Sequence, residues 1–430
     1  MFWKGLSNYH DLATKEPKGT EEASKRPLFK NAYFLMFSSL TSAGSGFFFW
    51  LIAARFYSAA DIGLASAIIS AMGLISMLSL LGFDISLVRF LPEREDKQEL
   101  INSCFTISFI FSLALALIFI AGINIWSPSL SIIRENKVLF LLFVAFTAIA
   151  PLKALQSQGI FVGFRKAEYS FIQTIVTFAR IGIVPFLTAF GALGIYASYG
   201  LTPILAFLLG FFLISRVCKY RPFPSVKREV INDLFHFSSG NYIARIFEGL
   251  PGLILPIMVV NMLGAEANAY FFIAWAISGL LLVIPGATST SLLAEGSYDA
   301  EKIRFNLIRS VKFIFLLLAP AIAFIFLFGD YLLSIFGRQY AENSFDVLRI
   351  LALASVPFSV NVLYASIKRI KKEIKPLMQV YGSIAILTLV GSYFLMQSKG
   401  IIGVGIAWVL ANGLVAVFTG LTCLHREYSR

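Results

Sequence analysis

Charge is the first thing this sequence lacks. Of 430 residues, 14% are Asp, Glu, Lys or Arg and 58% are hydrophobic. A soluble domain carries roughly 25% charged residues, so a water-facing surface cannot be drawn over this chain and an integral membrane protein is expected. Histidine and cysteine are also scarce. His10, His236 and His425 lie too far apart to suggest a metal cluster or a Ser-His-Asp set, so no metal or cofactor is expected. Cys104, Cys218 and Cys423 are an odd set that argues against a disulfide framework. There is no G-x-x-x-x-G-K-[ST] phosphate loop and no H-E-x-x-H motif, which speaks against direct ATP hydrolysis and zinc chemistry. Strict apolar–polar alternation is missing too, which excludes a membrane β-barrel. No polar insert is long enough to hold a soluble catalytic domain.

What is present is a succession of long apolar runs. A membrane helix needs roughly 20 such residues, and twelve candidate spans follow one another. The first six are 31–54, 62–86, 102–126, 138–162, 170–190 and 194–217. The second six are 236–261, 266–290, 309–329, 343–367, 376–397 and 401–424. The expected organisation is a tail (1–28), a first lobe (29–217), a linker with a surface-lying amphipathic helix (218–235), a second lobe (236–424) and a short C-terminus (425–430). The tail lacks the apolar core of a signal peptide.

The connections alternate in charge. Basic ones carry Arg89, Arg94 and Lys97, then Arg165 and Lys166, then Arg216 to Arg228, then Lys302 to Lys312, then Lys368 to Lys375. Those between them hold only Arg55, Arg134, Lys137, Arg338 and Lys399. The positive-inside rule then places the basic loops and both termini in the cytosol of a multi-pass cell-membrane protein. It also accounts for most of the net charge of +12 without nucleic acid as a partner.

The two halves repeat. Val144–Gln173, with Pro151, Arg165-Lys166 and Gln173, returns 206 residues later as Ile350–Gln379, with Pro357, Lys371-Lys372 and Gln379. Gly46, Gly73 and Gly194 return at the same offset as Gly252, Gly279 and Gly400. Each half has an even number of spans, so both sit the same way up. The expected fold is therefore all-α and integral to the membrane, about twelve transmembrane helices in two tandem six-helix lobes around a central cavity.

Four basic residues fall inside spans: Lys153, Arg180, Arg245 and Arg349. At roughly 2.5–3.5 kcal/mol for a basic residue at a helix centre, such groups face protein or water rather than lipid. Their repeat partners are Ser359, Ile386, Ser39 and Phe143, so the frame repeats and the cations do not. That pattern points to a cationic cavity for an anionic ligand. Three of the four have a second reading. Arg245 is three residues from Glu248, and Arg349 three from Asp346, so each is placed for a local ion pair; Lys153 is placed to snorkel to the cytosolic surface. Arg180 has no acidic residue within a turn. Glu248 and Asp84 are the candidate ion-coupling carboxylates, Asp84 being equally placed as a helix-end partner of Arg89.

The first spans read A-A-R-F-Y-S-A-A-D-I-G and L-G-F-D-I-S-L-V-R-F-L-P-E. Ala54-Arg55, Asp61 and Gly63, followed by Leu87-Val88-Arg89-Phe90, resemble the polysaccharide biosynthesis proteins of the Wzx type. These belong to the multidrug/oligosaccharidyl-lipid/polysaccharide (MOP) exporter superfamily. The resemblance implies a flippase for an oligosaccharide on a polyprenyl diphosphate carrier. Its partners would be that anionic lipid-linked cargo, membrane lipids and other polysaccharide-assembly proteins. A MATE-like drug antiporter and a membrane glycan polymerase or ligase are the rival functions. Cationic drugs would favour cavity carboxylates over Arg and Lys, and a polymerase would want a large external loop.

Overall fold

The computed structural model describes residues 20–217, 220, 222–298 and 303–428, with the side chains of 20–30, 32, 217, 228–238, 297–298 and 422–428 excepted. Residues 1–19 of the expected tail therefore lie outside the described residues, as does Cys218.

Backbone amides surrounded by lipid must be satisfied within their own segment, and among the described residues the chain does this with helices alone. Eleven helices are long and apolar enough to cross a membrane. The last, Ile374–Tyr428, has 55 residues and turns at Gly400 (φ 56°, ψ −141°), so it supplies two spans. The twelve are α1 (Thr20–Phe56), α2 (Ala59–Ser79), α3 (Lys97–Ala121), α4 (Lys137–Gly163), α5 (Ala167–Phe190) and α6 (Ala192–Val217) in the first half. The second half has α7 (Arg228–Leu263), α8 (Ala265–Tyr298), α9 (Ile303–Ser334), α10 (Arg338–Ile370), α11 (374–399) and α12 (401–428). One end of the bundle carries the basic connections and is called the basic face. At the other end, all connections but the one after α3 are only a few residues long.

Three helices depart from the uninterrupted spans expected. α2 stops at Ser79, because Leu81 (φ 51°) and Gly82 (φ 76°) turn left-handed before a short helix, Phe83–Phe90, resumes. α5 is Ala167–Val176, then Ala179–Ile183, then a 3-10 stretch, Val184–Phe190, with Pro185 in its first turn. α4 carries a π-helical turn, Leu155–Ile160, shortly after Pro151. The expected surface helix over 228–235 is not a separate element. Pro222 and Pro224 precede it, nothing within it breaks a helix, and Arg228–Leu263 is one helix of 36 residues.

The motif between the first two spans has a structural explanation. Ser58 caps the Asp61 amide at 3.1 Å and donates its hydroxyl to the Asp61 carboxylate at 2.6 Å. The other Asp61 oxygen accepts the Ala192 amide at 2.9 Å, tying the start of α2 to the start of α6. Tyr57 donates to the Val184 carbonyl at 2.7 Å. Burial and the nearby Asp61 push its hydroxyl up to about 12, which keeps it a donor.

α2 forms most of the seam between the halves, packing along α7 and α8. At Gly63 a side chain has no room: a Cβ there would fall on the Ala265 carbonyl and press on the Ala269 amide. Asn268 seals the contact by donating to the Gly63 carbonyl at 2.7 Å and the Ser66 hydroxyl at 3.1 Å. Residues 63 and 269 differ by the repeat offset of 206, so Gly63 touches its own repeat partner. A contact of that kind lies on the pseudo-twofold axis relating the halves.

The repeat, however, is not gap-free. Identical turns close α4 and α10. Lys166 N donates to Phe161 O as Glu373 N donates to Lys368 O, and Arg165 and Lys372 both have φ 56°. That pairs residues 207 apart. The corner glycines Gly191 (φ 52°) and Gly400 (φ 56°) pair residues 209 apart. A slip of one residue turns a helical position by about 100°. Accordingly Gln173 is fully buried while Gln379, its partner at 206, is exposed.

Gly63→Ala is expected to lower the unfolding temperature in detergent, at a cost of about 1–3 kcal/mol for overpacking. Gly279→Ala, mid-helix with nothing within 4 Å of the new methyl, is expected to leave it unchanged or slightly raised. Equal stability of the two variants would refute the tight axial contact.

Candidate functional site

The interior of the first half holds a cation with no carboxylate beside it. Arg180 follows the break in α5 and is buried. Its Nε and Nη2 donate to the Ser45 hydroxyl of α1 at 3.2 and 2.9 Å. Its guanidinium lies 5.3 Å from the Phe49 ring centre and 4.9 Å from that of Tyr199. Aromatic faces and one hydroxyl replace part of its hydration, but its charge stays uncompensated. Lys153 of α4 is half-buried and lies within electrostatic reach of Arg180. Among the described residues neither makes an ion pair, so Lys153 and Arg180 form a local excess of positive charge. Small residues of α1 admit this arrangement: Ser45 is fully buried and sits between Gly44 and Gly46.

Arg245 is placed differently. The expected pairing with Glu248 on its own helix does not form. Arg245 instead reaches across the seam to Asp84, which is 3% exposed against 39% for the arginine, and donates a second hydrogen bond to Gln158. Gln158 belongs to the π-helical turn of α4, five residues beyond Lys153, so the site of the first half and the arginine of the second meet at one wall. One turn earlier in α7, Tyr242 donates to the Leu78 carbonyl at 2.7 Å, a second tie between the halves toward the basic face. Asp84 reaches Arg245 because the left-handed turn at Leu81-Gly82 redirects the chain. Arg89, its other candidate partner, pairs with Glu93 at 2.8 Å.

Glu248 faces Arg369 of α10 at 3.4 Å, and the Arg369 guanidinium lies 5.9 Å from the Tyr381 ring centre. Both candidate carboxylates thus contact an arginine. Arg349 lies apart from the other cations. It makes no ion pair with Asp346. It donates to the Phe326 carbonyl at 3.1 Å and stacks on Phe345 at 3.8 Å, between α9 and α10. The structure therefore leaves Lys153 and Arg180 within electrostatic reach of one another, ties Arg245 to Asp84 and to Gln158 on the helix that carries Lys153, and leaves Arg349 elsewhere.

Sequence reasoning passed over Gln158, Ser45, Tyr199 and Arg369. Nothing about a lone Gln, Ser or Tyr in an apolar run marks it, and Arg369 is hidden in a run of cytosolic-type basic residues. Among the described residues no group of three or more His, Cys, Asp or Glu could hold a metal ion.

A sequence model of the family described as polysaccharide biosynthesis protein matches residues 28–293. The chain belongs to that family. Its fold is that of the MOP transporters. An inward-closed structure of the lipid II flippase MurJ aligns with TM-score 0.73 and 15% identity, over 90% of this chain and 87% of the other. An inward-facing MATE multidrug transporter gives 0.70 and 17%, over 93% and 98%. An outward-facing MATE structure gives 0.62 and 17%, over 94% and 96%. No curated protein sequence matches the chain. Within this family fold, the seam is closed around Gly63 at one end and tied by Arg245–Asp84 toward the basic face.

Asp84→Ala and Arg245→Ala are each expected to loosen that tie, so that a cysteine placed at Leu78 reacts faster with a soluble maleimide. Because Arg245 is partly exposed, a modest gain is expected, about fivefold for about 1 kcal/mol. The exchanged pair Asp84→Arg with Arg245→Asp should restore slow labelling. Unchanged rates in both single variants would show that the ion pair holds nothing closed.

Proposed function

We propose that this protein is a flippase that carries a lipid-linked oligosaccharide, on a polyprenyl diphosphate, from the cytosolic to the external leaflet by alternating access. It would serve cell-surface polysaccharide synthesis and act as a carrier, not an enzyme. The basic face is then cytosolic, and both termini lie on that side of the cell membrane.

The observation that carries this reading is Arg180, a buried guanidinium without a carboxylate, with Lys153 beside it. Uncompensated positive charge inside a bundle is costly, and an anionic headgroup would relieve it. Membership in a polysaccharide biosynthesis family supplies the class of cargo, and the fold shared with a lipid II flippase supports a lipid-linked one. The same fold also serves multidrug transporters. A cationic drug, however, would need a carboxylate free to meet it, and Asp84 and Glu248 each face an arginine. Glu248, with Arg369 and Tyr381 around it, is the better placed of the two for coupling to an ion.

Direction follows from charge. Moving two negative charges out of a negative cytosol is favoured by about 4.6 kcal/mol per 100 mV, at roughly 2.3 per charge. The cargo's own diphosphate would thus supply the drive without ATP.

The double variant Lys153→Ala/Arg180→Ala is expected to reduce surface glycan at least about tenfold, the equivalent of one lost charge-assisted contact, while lipid-linked precursor accumulates and membrane abundance stays normal. Arg180→Lys, which keeps the charge but loses the planar fork, should fall between. Full surface glycan in the double variant would overturn the anionic-cargo reading. Drug sensitivity appearing instead would favour the antiporter.

A further inference from the structure

α9 and α10 do not close against one another along their whole length. Between them runs an apolar groove of about 560 Å³, within the range of small-molecule sites. Its wall on α10 includes Leu353, Val356 and Val360, and its wall on α9 runs from Val311 to Phe326; Ser359 is the single polar side chain. Ser359 is not a free donor, since its hydroxyl bonds the Ser355 carbonyl at 2.6 Å. The main packing partners of α9 are α8 and α10, not the helices of the first half. Phe315, Val311 and Val356 are half or more exposed along the rim. The groove therefore opens away from the seam between the halves, toward the bilayer.

One end of it is charged. Arg349 continues the α10 stripe of Leu353, Val356 and Val360 by helical spacing. It is held by the carbonyl of Phe326, which lines the groove, and by the face of Phe345. These contacts use few of the five guanidinium donors. Its Nε is buried and has no hydrogen-bond partner, a deficit that costs free energy unless a ligand makes it good. Phe326 lies eight residues before the end of α9 at Ser334, about 12 Å at 1.5 Å per residue. From Phe326 to Val311 the groove extends 15 residues, about 22 Å, and a single leaflet's hydrocarbon layer is about 15 Å deep.

We propose that the α9–α10 groove binds an anionic phospholipid of the bilayer, in the leaflet opposite the basic face, with its phosphate on Arg349 and an acyl chain along the groove. A cation without an ion pair, at the head of an apolar trough longer than one leaflet is deep, matches the two parts of such a lipid, its acyl chain filling the nearer part of the trough. A zwitterionic lipid would satisfy the trough and bring its own cation toward the arginine. The site is separate from Lys153 and Arg180 and does not depend on what the protein transports.

The test is lipid retention by the intact chain, purified after exchange into vesicles containing equal phosphatidylglycerol and phosphatidylcholine and weighed by native mass spectrometry. Wild type is expected to retain phosphatidylglycerol about tenfold over phosphatidylcholine, the size of one charge-assisted hydrogen bond. Arg349→Ala should lose that preference and Arg349→Lys should keep much of it. Val356→Trp, at an exposed position of the groove, should lose retention of both lipids while Arg349 stays in place. Unfolding temperatures without lipid show that each variant is folded; if Arg349→Ala fails to fold, Arg349→Lys and Val356→Trp still decide. Unaltered preference in Arg349→Ala, or unaltered retention in Val356→Trp, would overturn the proposal. Displacement of phosphatidylglycerol by equimolar polyprenyl phosphate would overturn it too, by making the groove a cargo site.

Discussion

Where a side chain at residue 63 would stand, the Ala265 carbonyl stands instead. The first turns of α2 and α8 can approach this closely only because Gly63 presents bare backbone, and Asn268 then converts the approach into hydrogen bonds. Since Gly63 meets Ala269, its own repeat partner, the halves are joined on the axis that relates them. Motion that preserves this contact must open the other end of the seam. There the halves are held by side chains, Arg245 on Asp84 and Gln158, and Tyr242 on the Leu78 carbonyl. A backbone-to-backbone contact at one end and polar side-chain ties toward the other make the two ends of the seam unlike in what must be broken to open them.

Charge accounting explains why the cations are unequal. Arg245 and Arg369 face carboxylates, Asp84 and Glu248, from other helices. Arg349 has a carbonyl and aromatic rings. Arg180 has a hydroxyl and two rings, with Lys153 adding a second positive charge. Burying a cation beside another is the least favourable of these arrangements, and it occurs where α5 is broken and α4 takes a π-helical turn. Irregular backbone at that depth needs a cavity or neighbours to satisfy it, which the first half supplies through the Ser170 hydroxyl, donating to the Ser157 carbonyl at 2.6 Å, and the Ser157 hydroxyl, donating to the Lys153 carbonyl at 3.1 Å.

Hydropathy carried most of the fold, because lipid makes its requirement strict: long apolar runs had to be helices, and a family whose model spans 28–293 was legible in Asp61 and Gly63. The breaks were less legible. Leu80-Leu81-Gly82 looks like any apolar stretch, yet its left-handed turn aims Asp84 at Arg245. The repeat was visible through Pro151 and Pro357 but its register was not. Helix ends shift by one to three residues between halves, and only φ and hydrogen bonds at Arg165, Lys372, Gly191 and Gly400 reveal the slip. Local spacing also misled twice: Arg245 with Glu248 and Arg349 with Asp346 were placed to pair on one helix, but Arg245 pairs with Asp84 of another helix and Arg349 rests on the Phe326 carbonyl of α9 and the Phe345 ring of its own helix.

The repeat supplies two similar lobes, while the unpaired charge is one-sided. Between turns that pair residues 207 and 209 apart, Arg180 corresponds to one of Leu387, Thr388 and Leu389, and Lys153, beside the Pro151–Pro357 match at 206, corresponds to Ser359, whose hydroxyl is committed to the Ser355 carbonyl. The first half would therefore grip an anionic headgroup, and the second half offers it only Arg245, which is already engaged by Asp84. On the proposed reading, a diphosphate held at Lys153 and Arg180 would reach Arg245 only in competition with Asp84. A ligand shifts a conformational equilibrium only by what it binds better in one state than in the other. Competition for Arg245 provides such a difference, because headgroup binding and release of the tie toward the basic face would draw on the same guanidinium. On the proposed reading, loading the cargo would also loosen the tie toward the basic face, and release to the other leaflet would require the close contact at Gly63 to part in its turn.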